Sequence, residues 1–328
     1  MTRLRLSIVL CTYNGAVYLQ PQLDSLLAQT RLPDEIVIGD DGSTDASVAM
    51  LQAFAARARD AGIEVQLLCH RENLGYVDNF SAGLRAAQGD VLFLCDQDDV
   101  WRADKLALMA ERFEQDSSLL LLHGDARLVD AGGRPLGCSL FDVLQMTPQE
   151  QTTIHDGRAF DVILRRSFVT GATAALRQEL VVRALPVAPG WIHDEWLAAV
   201  AAAIGRVDFI DLPLIDYRQH GANQIGMRKR NLAMKWRDLL RPRVQPLADE
   251  AKRLRLLEDF FLQAGFHGSR DRAAQVRDKR THFERRVAIG RLPRWRRWLP
   301  VLREARGGFY RRYGTGIRSV LRDLLRHD

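Results

Sequence analysis

Four short apolar runs punctuate the first hundred residues: LSIVLCT (6–12), EIVIGD (35–40), EVQLLCH (64–70) and VLFLC (91–95). Each is followed by turn residues and then by a helical pattern, the first after the turn at Asn14-Gly15 and the others over 46–58, 77–87 and 102–115. Continuous β-branched runs suit strands buried on both faces, whereas Leu19, Leu23, Leu26 and Leu27 fall at helix spacing. Strand–helix alternation with short connections predicts a parallel sheet covered by helices on both faces. In such sheets ligands bind beyond the carboxyl ends of the strands. Tyr13-Asn14, Asp40-Asp41 and Asp96–Asp99 all follow such ends, so they are expected to line one crevice.

The later chain is less regular. Residues 118–137 read as a strand and a hairpin through Gly132-Gly133, TGATAALR (170–177) as a small-residue strand, and 191–205 as a helix. Residues 207–221 read as one or two strands and a loop, and basic helices follow from about 228. At 328 residues, one large domain with an appendage is the expectation. We place the catalytic domain at 1–227, with a nucleotide-binding half (1–101) and an acceptor half (102–227), and a basic helical extension at 228–328. Charge divides at the same point. Residues 228–328 hold 28 Lys+Arg against 11 Asp+Glu, and the preceding residues hold 19 against 30. An acidic body with a basic tail predicts an anionic partner for the tail.

The four cysteines have no metal-like spacing and read as buried thiols of a reducing compartment. No secretory signal is visible, and no run reaches the ~18 apolar residues of a membrane span. The expected location is the cytoplasm.

FLCDQDDVW (93–101) sets Asp96, Asp98 and Asp99 within four positions at the end of a buried strand. Carboxylates that close repel and raise one another's pKa unless a cation lies among them. Asp99 could simply cap the next helix while the others are solvated. Alternatively Asp96 and Asp98 converge on Mg²⁺ or Mn²⁺, hard cations that take one or two carboxylates and share substrate phosphates. No G-x-G-x-x-G or P-loop pattern follows the first strand. That loop offers Thr12, Tyr13 and Asn14 instead, and the second offers Asp41, groups suited to a nucleotide base and ribose. The missing phosphate loop also argues against a sugar nucleotidyltransferase.

Two stretches carry a resemblance: LSIVLCTYNGAVYLQPQLDSLLAQTRLPDEIVIGDDGSTD and RENLGYVDNFSAGLRAAQGDVLFLCDQDDVW. With them, residues 6–226 resemble family 2 glycosyltransferases of the GT-A fold, and within these the rhamnosyltransferase-like members, whose D-Q-D-D-[VI]-W loop is matched. The resemblance implies a nucleotide-sugar donor, a divalent metal and inversion at the anomeric carbon. It implies that Tyr13 and Asp41 hold the base, and that Asp96 faces ribose or metal. Asp98 would bind the metal bridging the diphosphate, and Asn73, Gly75 and Asn79 would shape the donor pocket.

Inverting transfer needs one carboxylate to take the acceptor's proton. IHDEW (192–196) supplies Asp194, with Glu195 the fallback, although an acidic helix start alone would explain the pair. In YRQHGANQIG (217–226), Arg218 could pair with phosphate oxygens. A lone histidine such as His220 is ordinarily structural, whereas the resemblance implies an extra metal ligand there. Gly221 and Gly226 would permit a flap. In the tail, Ile317, Val320, Leu321, Leu324 and Leu325 form a helical stripe between arginines, and Trp295 and Trp298 lie among more. This fits a helix on an anionic membrane surface, or one packed on the body with its arginines in solvent. No motif supports a nucleic-acid partner.

The expected activity is metal-dependent inverting transfer, and the resemblance of the D-Q-D-D-V-W loop implies rhamnose from dTDP-rhamnose as the first donor to test. The expected acceptor is a lipid-linked saccharide for surface polysaccharide, at the inner face of the membrane. The alternative is a non-catalytic member that binds nucleotide sugar or assembles partners on a membrane.

Overall fold

In the computed structural model the described residues are 3–221 and 241–326. The expected first half is present as β1 (Leu6–Thr12), α1 (Ala16–Leu27), β2 (Glu35–Asp40), α2 (Ser47–Asp60), β3 (Glu64–Cys69), α3 (Tyr76–Ala86), β4 (Val91–Cys95) and α4 (Lys105–Gln115). The strand order β3-β2-β1-β4 is parallel throughout. Every residue of β1 and β4 is buried, which explains their unbroken apolar runs. β3 lies at the sheet edge and alternates in exposure, so Cys69 is exposed, against the expectation of a buried thiol. All four cysteines are free.

Beyond β4 the sheet becomes mixed. β8 (Ala175–Arg177) runs antiparallel to both β4 and β6 (Leu119–Val129), and β9 (Arg206–Arg218) runs parallel to β6. β5, only Val100–Trp101, pairs antiparallel with β9, and β7 (Pro135–Ser139) hangs on β6. β9 is one strand whose register against β6 shifts around Asp125, opposite Pro213. Proline has no ladder donor, so a bulge is where it can sit.

TGATAALR is a strand only in its second half. Gly171–Thr173 form a 3₁₀ turn, because its backbone groups are taken by side chains rather than by a neighbouring strand. Residues 140–163 carry three short helices that no periodicity announced: α5 (Leu140–Leu144), α6 (Pro148–His155) and α7 (Ala159–Ile163). α8 (Gln178–Ala184) and α9 (His193–Ile204) complete this half.

The chain forms two compact units. One comprises Met1–Ala159, Phe168–Val187 and Ile192–Met227, and the other Phe160–Ser167, Ala188–Trp191 and Arg228–Asp328. Two short stretches from the expected acceptor half therefore group with the tail. In that second unit, helices Val244–Gln263 and Ser269–Gly290 bury Leu254, Leu257, Phe261 and Val276. Among the described residues no helix is long and apolar enough to cross a membrane.

Candidate functional site

Register brings the loops together. Leu10 of β1 pairs with Cys95 of β4 and Thr12 with Asp40 of β2, so the loops after three strands meet at one sheet edge. Side chains then knit them. Thr12 donates its hydroxyl to Gln97 Oε1 at 2.6 Å, and the Tyr13 amide donates to the same oxygen at 2.8 Å. Asn14 sits at φ 48° and accepts from the Thr44 amide at 2.8 Å, while its own amide donates to Ser43. Asp45 accepts from Ser47 in the first turn of α2 and from Ala16, joining the second loop to the first. Gln97, given no role from sequence, clasps loops one and four.

Several expected donor contacts are placed differently. Asp41 is buried, and its two oxygens accept from the amides of Leu74 at 2.7 Å and Gly75 at 2.9 Å. It therefore orders the NLG turn, where Gly75 adopts φ 87° at the start of α3. Asn79 is buried and donates to the Gly39 carbonyl at 3.0 Å, holding α3 against β2 rather than facing a ligand. Asn73 and Tyr13 are exposed.

The carboxylate loop is held from the far end of the sheet. The β5–β9 pairing lays Arg218 and His220 against it. His220 Nε2 lies 2.7 Å from Asp98 Oδ2, and its ring stacks on Tyr18 with centroids 4.4 Å apart. Arg218, expected on phosphate, is buried instead. Its amide donates to Asp99, and its guanidinium donates to the carbonyls of Asp98 at 2.8 Å and Ala131 at 3.0 Å. It fixes the shape of the loop.

A fully buried lysine answers part of the question raised by the acidic run. Lys105 Nζ sits 3.5 Å over the Trp101 ring and donates to the Ala172 carbonyl at 3.0 Å. Burial lowers its pKa to about 7, against the pull of Cys95, Asp99 and Asp96. The sequence carried a signal: Lys105 opens α4, and a cation is disfavoured in a helix's first turn. Burial, then the charges of Asp98 and Asp194, raises Asp96 to about 7. Asp99 is raised well above the usual range for the same first reason, and its Oδ2 is buried without a partner.

Asp194 is joined to this cluster through the Gly171–Thr173 turn, and its charge helps raise Asp96. Its Oδ2 accepts from the Gly171 amide at 2.9 Å and its Oδ1 from the Glu195 amide at 2.7 Å. The 3₁₀ turn thus bridges the site, with the Gly171 amide on Asp194 and the Ala172 carbonyl on Lys105. A Cβ at Gly171 would lie 3.2 Å from His193 Nε2 and 3.5 Å from the Asp194 carboxyl, which accounts for the small residue. His193 is buried on Phe80, with both ring nitrogens unpartnered, and burial lowers it to about 3, so it stays neutral.

Asp96, Asp98, Asp99 and Asp194 thus share this end of the sheet with Lys105, while the Arg218 guanidinium is spent on main-chain carbonyls. Among the described residues no group of three or more His, Cys, Asp or Glu is placed to hold a metal ion, so protein ligands here number at most two. Hard oxygen donors in charge excess, with few protein ligands, fit a divalent ion that finishes its shell on substrate phosphate. Residues 222–226 of the expected flap lie outside the described residues.

The lysine can be tested alone. Lys105→Met should destabilise the protein by about 3–5 kcal/mol, the cost of leaving buried charge unpaired. Adding Asp99→Asn should recover part of that loss. A urea midpoint unchanged from wild type would remove the lysine from the cluster's charge balance.

Comparison with known proteins places the architecture. The fold is shared with Staphylococcus aureus TarS 1-349, solved in complex with UDP-GlcNAc, at a TM-score of 0.59 and 17% identity over 97% of this chain and 90% of that one. It is also similar to a mannosyltransferase from Pyrobaculum calidifontis, solved with GDP-Man and Mn²⁺, at a TM-score of 0.50 and 17% identity over 99% and 86%. The sheet and its flanking helices are thus those of the GT-A class of glycosyltransferase folds. The chain belongs to glycosyl transferase family 2, whose family model matches residues 7–180, more than half its length. It is 30% identical over 233 residues to an uncharacterized glycosyltransferase of Nostoc sp., 67% of this chain and 66% of the relative. It is 32% identical over 126 residues to the uncharacterized glycosyltransferase YwdF of Bacillus subtilis, 38% and 43%. The chain therefore spans less than two thirds of each of these relatives.

Proposed function

We propose that the chain transfers a sugar, with inversion, from a nucleoside-diphosphate donor to a hydroxyl of a saccharide acceptor. The observation that carries this reading is the Gly171–Thr173 turn, which holds Asp194 of α9 by the Gly171 amide and is itself bonded to Lys105 and to β4, the strand that leads into Asp96 and Asp98. A carboxylate from each half of the sheet is what a reading with one base and one metal site requires, and this supports it.

Asp98, with Asp96 beside it, would hold the ion and leave its remaining positions to substrate phosphate, while His220, expected as an extra metal ligand, braces Asp98 at 2.7 Å instead. When bound, a divalent ion neutralises the charge that grows on the departing diphosphate. Tyr13 and Asn14 offer a nucleoside an exposed ring and amide at the sheet edge, while Thr12, buried and bonded to Gln97, positions them. Asp41 holds Leu74-Gly75 in the shape that closes this side, while Lys105 and Arg218 keep the aspartate loop in place. Asp194, with each oxygen anchored by one amide, accepts the acceptor's proton as the new glycosidic bond forms opposite the breaking one. Burial raises its pKa, making it a stronger base than a solvated aspartate.

The donor we favour is dTDP-rhamnose, on the resemblance of the D-Q-D-D-V-W loop, and the acceptor a lipid-linked saccharide of a surface polysaccharide. TarS binding UDP-GlcNAc and the Pyrobaculum enzyme binding GDP-Man support a nucleotide-sugar site in this fold. Release of nucleotide from a panel of dTDP-, UDP- and GDP-sugars, with and without acceptor and Mn²⁺, tests the reading. No acceptor- and metal-dependent release from any donor would overturn it.

A pH dependence follows. Asp96 is protonated in the folded, metal-free protein below about pH 7 and ionised above it. A metal ligand must be deprotonated, so Mn²⁺ affinity should fall by up to tenfold per pH unit below about 7 and level off above. Calorimetry in buffers of different ionisation enthalpy should register a proton released on binding at pH 6 and less at pH 8. Affinity flat across that range would remove Asp96 from the ligand set.

A further inference from the structure

The last two amphipathic helices of the second unit are packed inside out. Helix Ile317–Leu325 buries Ser319 and Asp323, and helix Trp298–Arg306 buries Val301 and Glu304. The opposite faces are apolar and open: Trp298, Leu299 and Leu302 on one, Ile317, Leu321 and Leu325 on the other, from 40% to 75% exposed. The sequence stripe is thus split. Val320 and Leu324 pack on the small core of Ile289, Val301 and Tyr310, and the rest of the stripe faces outward.

Neither helix can roll to cover its leucines. Asp323 is fixed by Arg286 at 2.7 Å and Arg326 at 3.0 Å, and accepts from the Tyr310 hydroxyl at 2.7 Å. Glu304 is held by His282 at 2.6 Å and Arg285 at 2.8 Å. Turning either helix would break buried ion pairs, so the apolar faces are held outward. An outward apolar face calls for an apolar partner.

Charge identifies that partner. Residues 291–326 contain 11 arginines and two acids, Glu304 and Asp323, and both acids are buried. The exposed side therefore combines tryptophan and leucine with unopposed arginines such as Arg303, Arg306 and Arg318. A second copy of the chain would bring arginine against arginine. An anionic lipid surface accepts both features, taking the side chains at the headgroup boundary and pairing the guanidiniums with phosphate. We propose that helices Trp298–Arg306 and Ile317–Leu325 dock on an anionic bilayer through these outward faces. This inference does not depend on the transfer reaction, and its test uses no activity.

The test floats the full chain with vesicles of phosphatidylcholine, with or without roughly one third phosphatidylglycerol. Wild type should float with the anionic vesicles and stay behind with the neutral ones. Trp298→Ser combined with Leu321→Ser should weaken anionic binding at least about tenfold. Arg303→Glu with Arg318→Glu should abolish the preference for anionic lipid. Both pairs are exposed, so unchanged thermal melting separates lost docking from lost fold. Wild type failing to float, or the serine variant floating equally well, overturns the proposal. So does a solution dimer that the serine variant splits, because a second copy would then own the face.

Discussion

Asp194→Asn should lower turnover by about 10²–10⁴-fold while donor affinity stays within a few-fold of wild type. The substitution keeps the shape of the side chain but removes the lone pair that takes the proton. It should also erase the acid limb of the rate profile. Burial lifts the Asp194 carboxyl above the ordinary aspartate range, so the active, ionised form is present above that raised pKa and lost as pH falls through it. In wild type, then, the acid limb should lie above the range of a solvated carboxylate. Steady-state kinetics and donor calorimetry on one preparation check both halves. An Asn variant within fivefold of wild type would move the base elsewhere, with Glu195 next in line. Equal losses in turnover and donor affinity would make Asp194 a structural group.

Asp98→Ala should act at the other step. It deletes a proposed ligand and leaves His220 without its 2.7 Å partner. Removing an outer-shell partner of a metal typically costs about 10–100-fold in affinity, so loss of a direct ligand should exceed that for Mn²⁺-dependent donor binding. Stability without metal should not fall in proportion. Asp98 raises the pKa of both Asp96 and Asp99, and taking its charge away relieves that repulsion. The signature is an unchanged or raised melting temperature without metal, with the metal-induced rise gone. Donor binding like wild type would take Asp98 out of the site.

The two variants separate cleanly because the groups come from opposite halves of the sheet. One arrives on the loop after β4, in the parallel half. The other stands at the start of α9, beyond the mixed half, and is pinned by a turn at Gly171.

What the residues determined alone is the parallel half and its edge. LSIVLCT, EIVIGD and VLFLC are strands over the same residues that their apolar runs mark, because burial on both faces admits few other side chains. The loops carrying Tyr13, Asp41 and Asp96 follow from strand direction. Local chemistry could not supply the partners of those groups. Asp41 spends its carboxylate on Leu74 and Gly75, Asn79 turns to Gly39, and Arg218 holds main-chain carbonyls. Each pairing spans from 33 to 120 positions and depends on which strands lie side by side. Lys105 was marked only as a cation out of place in the first turn of α4, and its neighbours were set when the fold buried it. The tail shows the same division: periodicity marked the apolar stripe, and only the buried pairs around Asp323 and Glu304 decided which part of it faces outward. Hydrophobic pattern is a property of neighbours along the chain, whereas charge compensation is a property of neighbours in space, and only the folded sheet and helices decide who those are.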